Sequence, residues 1–177
     1  RFPICIVSGK GALAYDENGK EYIDLGTGIA VNTFGYSDTE WVKAVEAQLE
    51  TLQHTSNLYY SEPCAKLAEM LCNRTGMNKV FFSNSGAEAN ECAIKTARKW
   101  AQDTKGEGDY TIITLKNSFH GRTIATLTAT GQDAFHKDFG PFPSGFAYAE
   151  ANNIDSVKEI VKTANCCAIM MEMVQGE

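Results

Sequence analysis

The sequence predicts an α/β fold, a mostly parallel, helix-covered sheet preceded by a small N-terminal β-hairpin unit. From residue 80 onward, short apolar strand patterns alternate with amphipathic helical patterns, which is typical of a parallel sheet with right-handed helical crossovers. Near the start, Asn18-Gly19 separates two short strand-like runs and is a strong hairpin signal. A chain of 177 residues with 44% hydrophobic residues is also large enough to bury a core.

The charge balance argues against several classes of partner. Lysine and arginine number 16 against 22 aspartates and glutamates, giving a formal net charge of -6 without any basic run. We therefore expect no nucleic-acid partner and no binding to an anionic membrane. The longest apolar run, residues 166–171, is also far shorter than the roughly 20 residues that a membrane-spanning helix needs.

The cysteines indicate a reducing compartment. No CxxC pair and no grouping with histidine at metal-ligand spacing occurs, so we expect buried free thiols and no metal site. Together with the lack of a secretory leader pattern, this predicts a cytoplasmic protein. The six residues are Cys5, Cys64, Cys72, Cys92, Cys166 and Cys167.

The first elements form a predicted N-terminal segment, residues 1–52. Strands are expected at 11–15 and 21–25, on either side of the hairpin turn. A glycine-rich passage at 26–35 is either a flexible connector or the border of a ligand site. Asp38 then caps an amphipathic helix that completes the segment.

The next stretch predicts a helix, a buried strand and a second helix in succession. Pro63 lies near the first turn of a helix that ends at about residue 74. Residues 80–82 are Val-Phe-Phe, the composition of a strand that is covered on both faces. The following Ser, Asn and Gly residues supply turn and capping chemistry for a long helix.

The start of that long helix is a candidate phosphate site. The first amides of a helix have no partner within the helix, and the helix dipole favours an anion. A phosphate group could therefore bind at Gly86 and Ala87, where glycine lets the anion approach the backbone. The alternative is a capped helix start that binds no ligand.

Three further strands, two short helices and one long loop complete the pattern. Phe119, His120 and Arg122 follow the end of a predicted strand, which in an open α/β sheet is the side where ligands bind. The strands are predicted at 110–115, 146–149 and 167–174, a helix at 155–163, and the loop at 131–145. Residues 123–130 are either a helical turn or a strand, and the helical turn is favoured because a crossover is needed next.

Three motifs in this order resemble the class III pyridoxal-phosphate-dependent aminotransferases. They are Ser83-Asn-Ser-Gly-Ala-Glu-Ala-Asn-Glu91, Ser118-Phe-His-Gly-Arg-Thr123 and Glu172-Met-Val-Gln-Gly-Glu177. The resemblance extends over nearly the whole chain and implies the fold type I major domain of the PLP-transferase type. By this resemblance, residues 53–177 are the first part of the large PLP-binding domain, truncated before its C-terminal remainder.

The resemblance also implies the cofactor, pyridoxal 5'-phosphate (PLP), and the residues that bind it. Ser85, Gly86 and Ala87 are expected to hold the phosphate, and Phe119 to stack on the pyridine ring. His120 is expected beside the cofactor. The alternatives are core packing for Phe119 and a purely loop-closing role for His120.

Three more residues are implied at the substrate. Arg122 is expected to grip a substrate carboxylate, with a surface salt bridge as the alternative. Glu177 matches the family glutamate that pairs with a substrate-binding arginine further along the polypeptide. Gly28 stands where family members that act on ornithine carry a bulkier tyrosine, so this site is expected to have room for an acylated amine.

The implied reaction is amino transfer from N-acetylornithine to 2-oxoglutarate in arginine biosynthesis, by a homodimer. No catalytic residue is expected within this chain, because the Schiff-base lysine and the aspartate that pairs with the pyridine nitrogen match no position here. Residues 1–177 alone are therefore expected to be inactive. The alternatives are another donor (ornithine, succinylornithine or 4-aminobutyrate), an aminomutase, or a non-catalytic phosphate-binding fragment.

Overall fold

The computed structural model describes residues 2–176, which divide into two compact units. One unit ends at Thr75 and the other begins at Gly76. The domain boundary after residue 52 stays a prediction. Within residues 2–176 no helix combines the length and the hydropathy needed to cross a membrane.

The first unit contains a three-stranded antiparallel sheet with the strand order β1-β2-β3. Its strands are β1 (Ile6–Lys10), β2 (Leu13–Asp16) and β3 (Glu21–Ile23). The predicted hairpin is confirmed as the β2–β3 pair, whereas β1 was not predicted. The side chain of Asp16 holds the turn, because its Oδ1 accepts the amides of Asn18 and Lys20, each at 2.9 Å. These bonds, the one from Lys20 foremost, lower the pKa of the Asp16 carboxyl.

Two predicted helices of the first unit are confirmed, and a left-handed turn precedes them. Helix α2 (Thr39–Thr51) begins after Asp38, whose Oδ1 accepts the amide of Trp41 at 2.8 Å, and α3 (Glu62–Thr75) follows. The short element α1 (Thr27–Ala30) lies in the glycine-rich passage, and all four of its φ angles are positive. That conformation costs a non-glycine residue about 1–2 kcal/mol.

The second unit is built on a three-stranded parallel sheet with the order β5-β4-β6, as the strand–helix alternation predicts. Its strands are β4 (Thr111–Leu115), β5 (Phe146–Ala149) and β6 (Cys166–Ile169). Strand β4 is central, and Ile112, Ile113 and Thr114 are at most 1% exposed. A strand covered on both faces favours apolar and β-branched residues, which explains the isoleucines and threonines of β4.

Helices precede and connect these strands. Helix α4 (Gly86–Lys105) comes before β4, α5 (Ile124–Ala129) and α6 (Asp133–His136) lie between β4 and β5, and α7 (Ile154–Thr163) lies between β5 and β6. Capping side chains set the starts of the longer ones. The Asn153 side chain, for example, accepts the amides of Asp155 and Ser156 at 3.1 and 3.2 Å. The long connection between α5 and β5 contains only the single turn α6 within an otherwise irregular path.

One strand prediction is wrong, and another places the end of its strand too late. Residues 80–82 form no strand, because an extended segment needs a neighbouring strand to bond with and none lies beside it within residues 2–176. Phe81 is accordingly 65% exposed. Strand β6 ends at Ile169 rather than at 174, since the Met170 amide makes the last bond to β4, 2.8 Å from Ile113 O.

The cysteines are free, as predicted, but the prediction that they are buried is wrong. Cys5 and Cys64 are exposed, and the other four are partly exposed. The sequence pattern identifies apolar faces correctly, but nothing within residues 2–176 covers several of those faces. Partial burial still raises the pKa of the Cys166 and Cys167 thiols, which keeps them protonated at neutral pH.

Candidate functional site

The N-terminus of α4 is closed by a reciprocal cap. Ser85 has an extended backbone, and its Oγ accepts the amide of Glu88 at 3.2 Å. The Glu88 carboxylate reaches back and accepts the amide of Asn84 at 2.8 Å. The Ala89 amide donates to Ser85 O at 3.0 Å, as in any helix. Ser85 therefore acts as the cap that the sequence predicts.

This cap leaves two donors open. Within residues 2–176, the amides of Gly86 and Ala87 have no hydrogen-bond partner. A Cβ added at Gly86 would meet no atom within 4 Å, so the helix start is open on the side where this glycine lacks a side chain. Two neighbouring amides at the positive end of a 20-residue helix suit a phosphate group. The residues present therefore fit the cofactor phosphate that the sequence predicts there.

The turn that follows β4, residues 118–123, packs directly on this helix start. Gly121 makes the closest approach, because a Cβ in its place would lie 2.8 Å from Ala87 Cβ. Its φ of +130° is also a conformation that glycine adopts and other residues avoid. Asn90 fastens the same turn, since its Nδ2 donates to His120 O at 2.8 Å. The predicted phosphate-binding and ring-stacking motifs are thus brought together.

Three further hydrogen bonds hold this turn. The Phe119 amide donates to Glu172 Oε1 at 2.7 Å, and the His120 amide donates to Thr130 Oγ1 at 2.9 Å. The buried Ser118 Oγ accepts the amide of Gly131 at 3.0 Å. The turn is therefore held in one conformation before any ligand binds.

Phe119 and Arg122 lie next to each other on this turn. The half-buried Phe119 ring contacts Phe135, with ring centroids 5.7 Å apart, and Arg122 Cζ lies 5.5 Å from the Phe119 centroid. The Arg122 side chain is exposed and forms no ion pair within residues 2–176. A guanidinium supported by an aromatic ring keeps its donors directed outward, which suits a planar carboxylate.

His120 is the most deeply buried titratable group of the turn. The residue is 4% exposed, and its Nε2 has no hydrogen-bond partner within residues 2–176. Burial lowers the pKa of this imidazole, and the negative charge of Glu172 opposes that shift only in part. His120 is therefore neutral at pH 7.

The two remaining predicted residues lie elsewhere in the chain. Gly28 belongs to the first compact unit, within α1, with a φ of +62° and with its nearest outside atom, Val31 Cβ, 4.0 Å from a built Cβ. Glu177 lies outside the described residues. Their roles at the substrate stay predictions.

Sequence reasoning missed the residues that hold the turn in place. Asn90, Thr130 and Glu172 bond to it from positions 30, 10 and 53 residues away from their partners. Asn90 and Glu172 stood within motifs that resembled the family, but neither was singled out, and Thr130 stood in none. No local pattern marks contacts of such sequence separation, so a structure was needed to find them.

The parallel sheet, the open helix start and the aromatic turn beside it define a domain of the PLP-transferase type. This confirms the fold class expected from the sequence. The family model for class-III aminotransferases matches residues 1–177. The chain belongs to the class-III aminotransferase family.

Individual curated proteins are similar to this chain over its whole length. The chain is 50% identical over 177 residues to the acetylornithine aminotransferase of Haemophilus ducreyi, covering 100% of this chain and 45% of that protein. It is 47% identical to the acetylornithine aminotransferase of Methanocaldococcus jannaschii, covering 100% of this chain and 44% of that protein. The chain thus spans less than half the length of the curated relatives it matches.

Solved structures show the same fold. The ornithine aminotransferase of Toxoplasma gondii superposes with a TM-score of 0.93 at 30% identity, covering 99% of this chain and 42% of that chain. The N-acetylornithine aminotransferase of Stenotrophomonas maltophilia superposes with a TM-score of 0.81 at 36% identity, covering 99% of this chain and 43% of that chain.

Replacing Gly121 should damage the fold more than replacing Gly86. Gly121→Ala puts a methyl group 2.8 Å from Ala87 Cβ at a φ of +130°, so we expect a loss of about 1–3 kcal/mol in the free energy of unfolding. Gly86→Ala is the matched control, since its methyl meets no atom and should change that energy by less than about 0.5 kcal/mol. Denaturant unfolding of the complete protein measures both, and equal losses would contradict the packing described.

His120 should make stability depend on pH. Its pKa is lowered from 6.5 in the folded state, so below pH 6.5 the unfolded chain binds a proton that the folded chain does not. Stability contributed by neutral His120 is therefore complete above pH 6.5 and falls as the pH drops toward the folded-state pKa. Between pH 7 and pH 5.5, the free energy of unfolding should decline more in the wild type than in His120→Gln. The lower of these pH values lies about one unit below the ordinary pKa of histidine. Identical declines would be evidence against a depressed His120 pKa.

Proposed function

We propose that the complete protein carrying this chain transfers an amino group from N-acetylornithine to 2-oxoglutarate, with PLP as cofactor. The observation that carries the proposal is the set of four curated relatives, each named acetylornithine aminotransferase and 47–52% identical over at least 96% of this chain. A role in arginine biosynthesis, a cytoplasmic location and a homodimeric assembly form part of the same proposal.

The helix start supports the choice of cofactor. Ser85 caps the helix, and the amides of Gly86 and Ala87 would receive the PLP phosphate, with the Phe119 ring against the pyridine and His120 behind the turn. When bound, PLP supplies an electron-accepting ring. A further Toxoplasma gondii ornithine aminotransferase structure, 30% identical to this chain, is described as having partial occupancy of PLP at its active site.

Substrate recognition in this proposal depends on carboxylate binding. Both proposed substrates carry carboxylates, and the exposed guanidinium of Arg122 would bind one of them through two parallel hydrogen bonds. Glu177 would pair with a substrate-binding arginine beyond this chain. The site would hold and orient the substrate next to the ring plane defined by Phe119.

Ornithine is a second candidate donor, and one observation favours it. The Toxoplasma gondii ornithine aminotransferase has the higher TM-score, 0.93 against 0.81, although its identity is lower, 30% against 36%. The deciding experiment is to measure kcat/KM of the complete protein for N-acetylornithine and for ornithine with 2-oxoglutarate as acceptor. A preference for N-acetylornithine of at least about tenfold supports the proposal. A preference for ornithine overturns it.

Donor choice should respond to Gly28. A tyrosine at this position would fill space needed by the acetyl group, so Gly28→Tyr should shift the kcat/KM ratio toward ornithine by about 10- to 200-fold. Because Gly28 has a φ of +62°, any side chain there is strained, and Gly28→Ala serves as the matched control. The control should change both donors alike. An unchanged ratio in Gly28→Tyr would show that this residue does not select the donor.

Arg122 should act through its geometry as well as its charge. Arg122→Lys keeps the positive charge and loses the two-point grip, so kcat/KM for the donor should fall about tenfold or more while the PLP content of the purified protein stays the same. Arg74→Lys, at the exposed end of α3, is the control and should leave both unchanged. Loss of PLP with intact donor kinetics would assign Arg122 to the cofactor instead.

The proposal places the cofactor-linked lysine and the ring-nitrogen aspartate outside residues 1–177. A purified chain of these residues, verified at 19.4 kDa by intact mass, should therefore show no amino transfer after addition of PLP, whereas the complete protein does. Borohydride reduction followed by peptide mapping provides the second readout. Turnover by the short chain, with the cofactor fixed to one of its lysines, would refute this placement.

A further inference from the structure

Glu172 connects the end of β6 to the turn that carries Phe119 and Arg122. The side chain is half-buried, and its Oε1 accepts the Phe119 amide at 2.7 Å across 53 positions of the chain. A carboxylate that accepts an amide hydrogen bond forms a shorter and stronger bond than a neutral acceptor. None of the other hydrogen bonds that hold the backbone of residues 118–121 uses a charged partner.

The position of this bond matters more than its strength. The bonds from Thr130 and Asn90 both meet His120, one residue further along, and the tight contact of Gly121 lies beyond it. The Phe119 amide itself is held by Glu172 alone within residues 2–176. The carbonyl of the same peptide unit, Ser118 O, accepts from Gln132 Nε2 at 3.1 Å. Loss of the Glu172 bond therefore leaves this unit with one hydrogen bond instead of two and loosens the orientation of the Phe119 ring.

The negative charge of Glu172 also acts electrostatically on the buried His120. The Nε2 atom of this imidazole has no hydrogen-bond partner within the described residues. Glu172 therefore fixes the turn at one residue and influences the imidazole at the next. Neither effect follows from packing alone, since a leucine of similar size could fill the same volume.

We propose that Glu172 is a positioning residue, whose carboxylate sets the orientation of Phe119 and through it the binding of a flat, phosphorylated aromatic cofactor and of the donor carboxylate. The inference rests on the proposed function for the identity of those ligands. It goes beyond that function by assigning a residue that acts through the amide of Phe119.

The test uses the complete protein with two variants at Glu172. Glu172→Gln keeps an oxygen acceptor for the Phe119 amide, and Glu172→Leu removes it at similar volume. The readouts are the Kd for PLP, titrated by absorbance into the cofactor-free protein, the induced circular dichroism of bound PLP, and KM for the donor. We expect Glu172→Leu to raise the PLP Kd about tenfold, to alter the dichroism and to raise KM more than it lowers kcat. Because Glu172→Gln keeps an acceptor for the Phe119 amide, its PLP Kd should stay within about threefold of the wild-type value.

Matched controls are available at Glu150, an exposed carboxylate at the end of β5 that pairs with Lys116 and does not contact the turn. Glu150→Gln and Glu150→Leu should leave the PLP Kd and the dichroism unchanged. Should Glu172→Leu fail to fold, Glu172→Asp replaces it, since it keeps the charge but withdraws the oxygen by one methylene group. The same losses are then expected.

Two results would overturn the inference. A Glu172→Leu protein with a lower thermal midpoint but with wild-type PLP Kd and dichroism would show a purely structural role. Equal impairment of Glu172→Gln and Glu172→Leu would exclude the hydrogen-bond acceptor as the cause. Neither outcome bears on the proposed function, which fails instead if the wild-type complete protein binds PLP but does not transfer the amino group of N-acetylornithine.

Discussion

The close approach of Gly121 to Ala87 is the constraint on which the rest of the site depends. It joins the turn after β4 to the first turn of α4 at a distance that only a residue without a side chain allows. The same helix face makes two further contacts, because Asn90 bonds to the carbonyl of His120 and Glu91 accepts the hydroxyl of Thr123. Positions separated by three and four residues share one face of a helix, so this single face carries the whole junction.

The capping arrangement explains why two donors stay open at that junction. Ser85 satisfies the amide of Glu88, and the Glu88 carboxylate satisfies the amide of Asn84. The Glu88 carboxylate is therefore bonded to the preceding turn and not to the amides of Gly86 and Ala87. The amides of Gly86 and Ala87 are bypassed, and they remain the point at which the helix dipole can meet an anion.

Local signals allowed much of the fold to be predicted from the sequence. The caps at Asp38 and Ser85 and the apolar runs of β4 and β5 depend on residues that are near each other in the chain, and each is found close to where the pattern indicates. Strand formation at residues 80–82 depends instead on a pairing partner, which composition cannot supply.

The same difference between local and long-range signals applies to the candidate site. The motifs identified the turn and the helix start, because each is a continuous stretch of sequence. Their mutual placement depends on the Gly121–Ala87 contact and on Glu172, whose bond to Phe119 spans 53 residues. The contacts that orient the site are thus long-range, and only the folded chain reveals them.

A crystal structure of the complete protein with PLP decides whether the first amides of α4 form an anion site. Phosphate oxygens are expected within about 2.7–3.2 Å of the backbone nitrogens of Gly86 and Ala87. A phosphate bound elsewhere, with these two amides facing solvent or occupied by a protein side chain, would contradict this expectation.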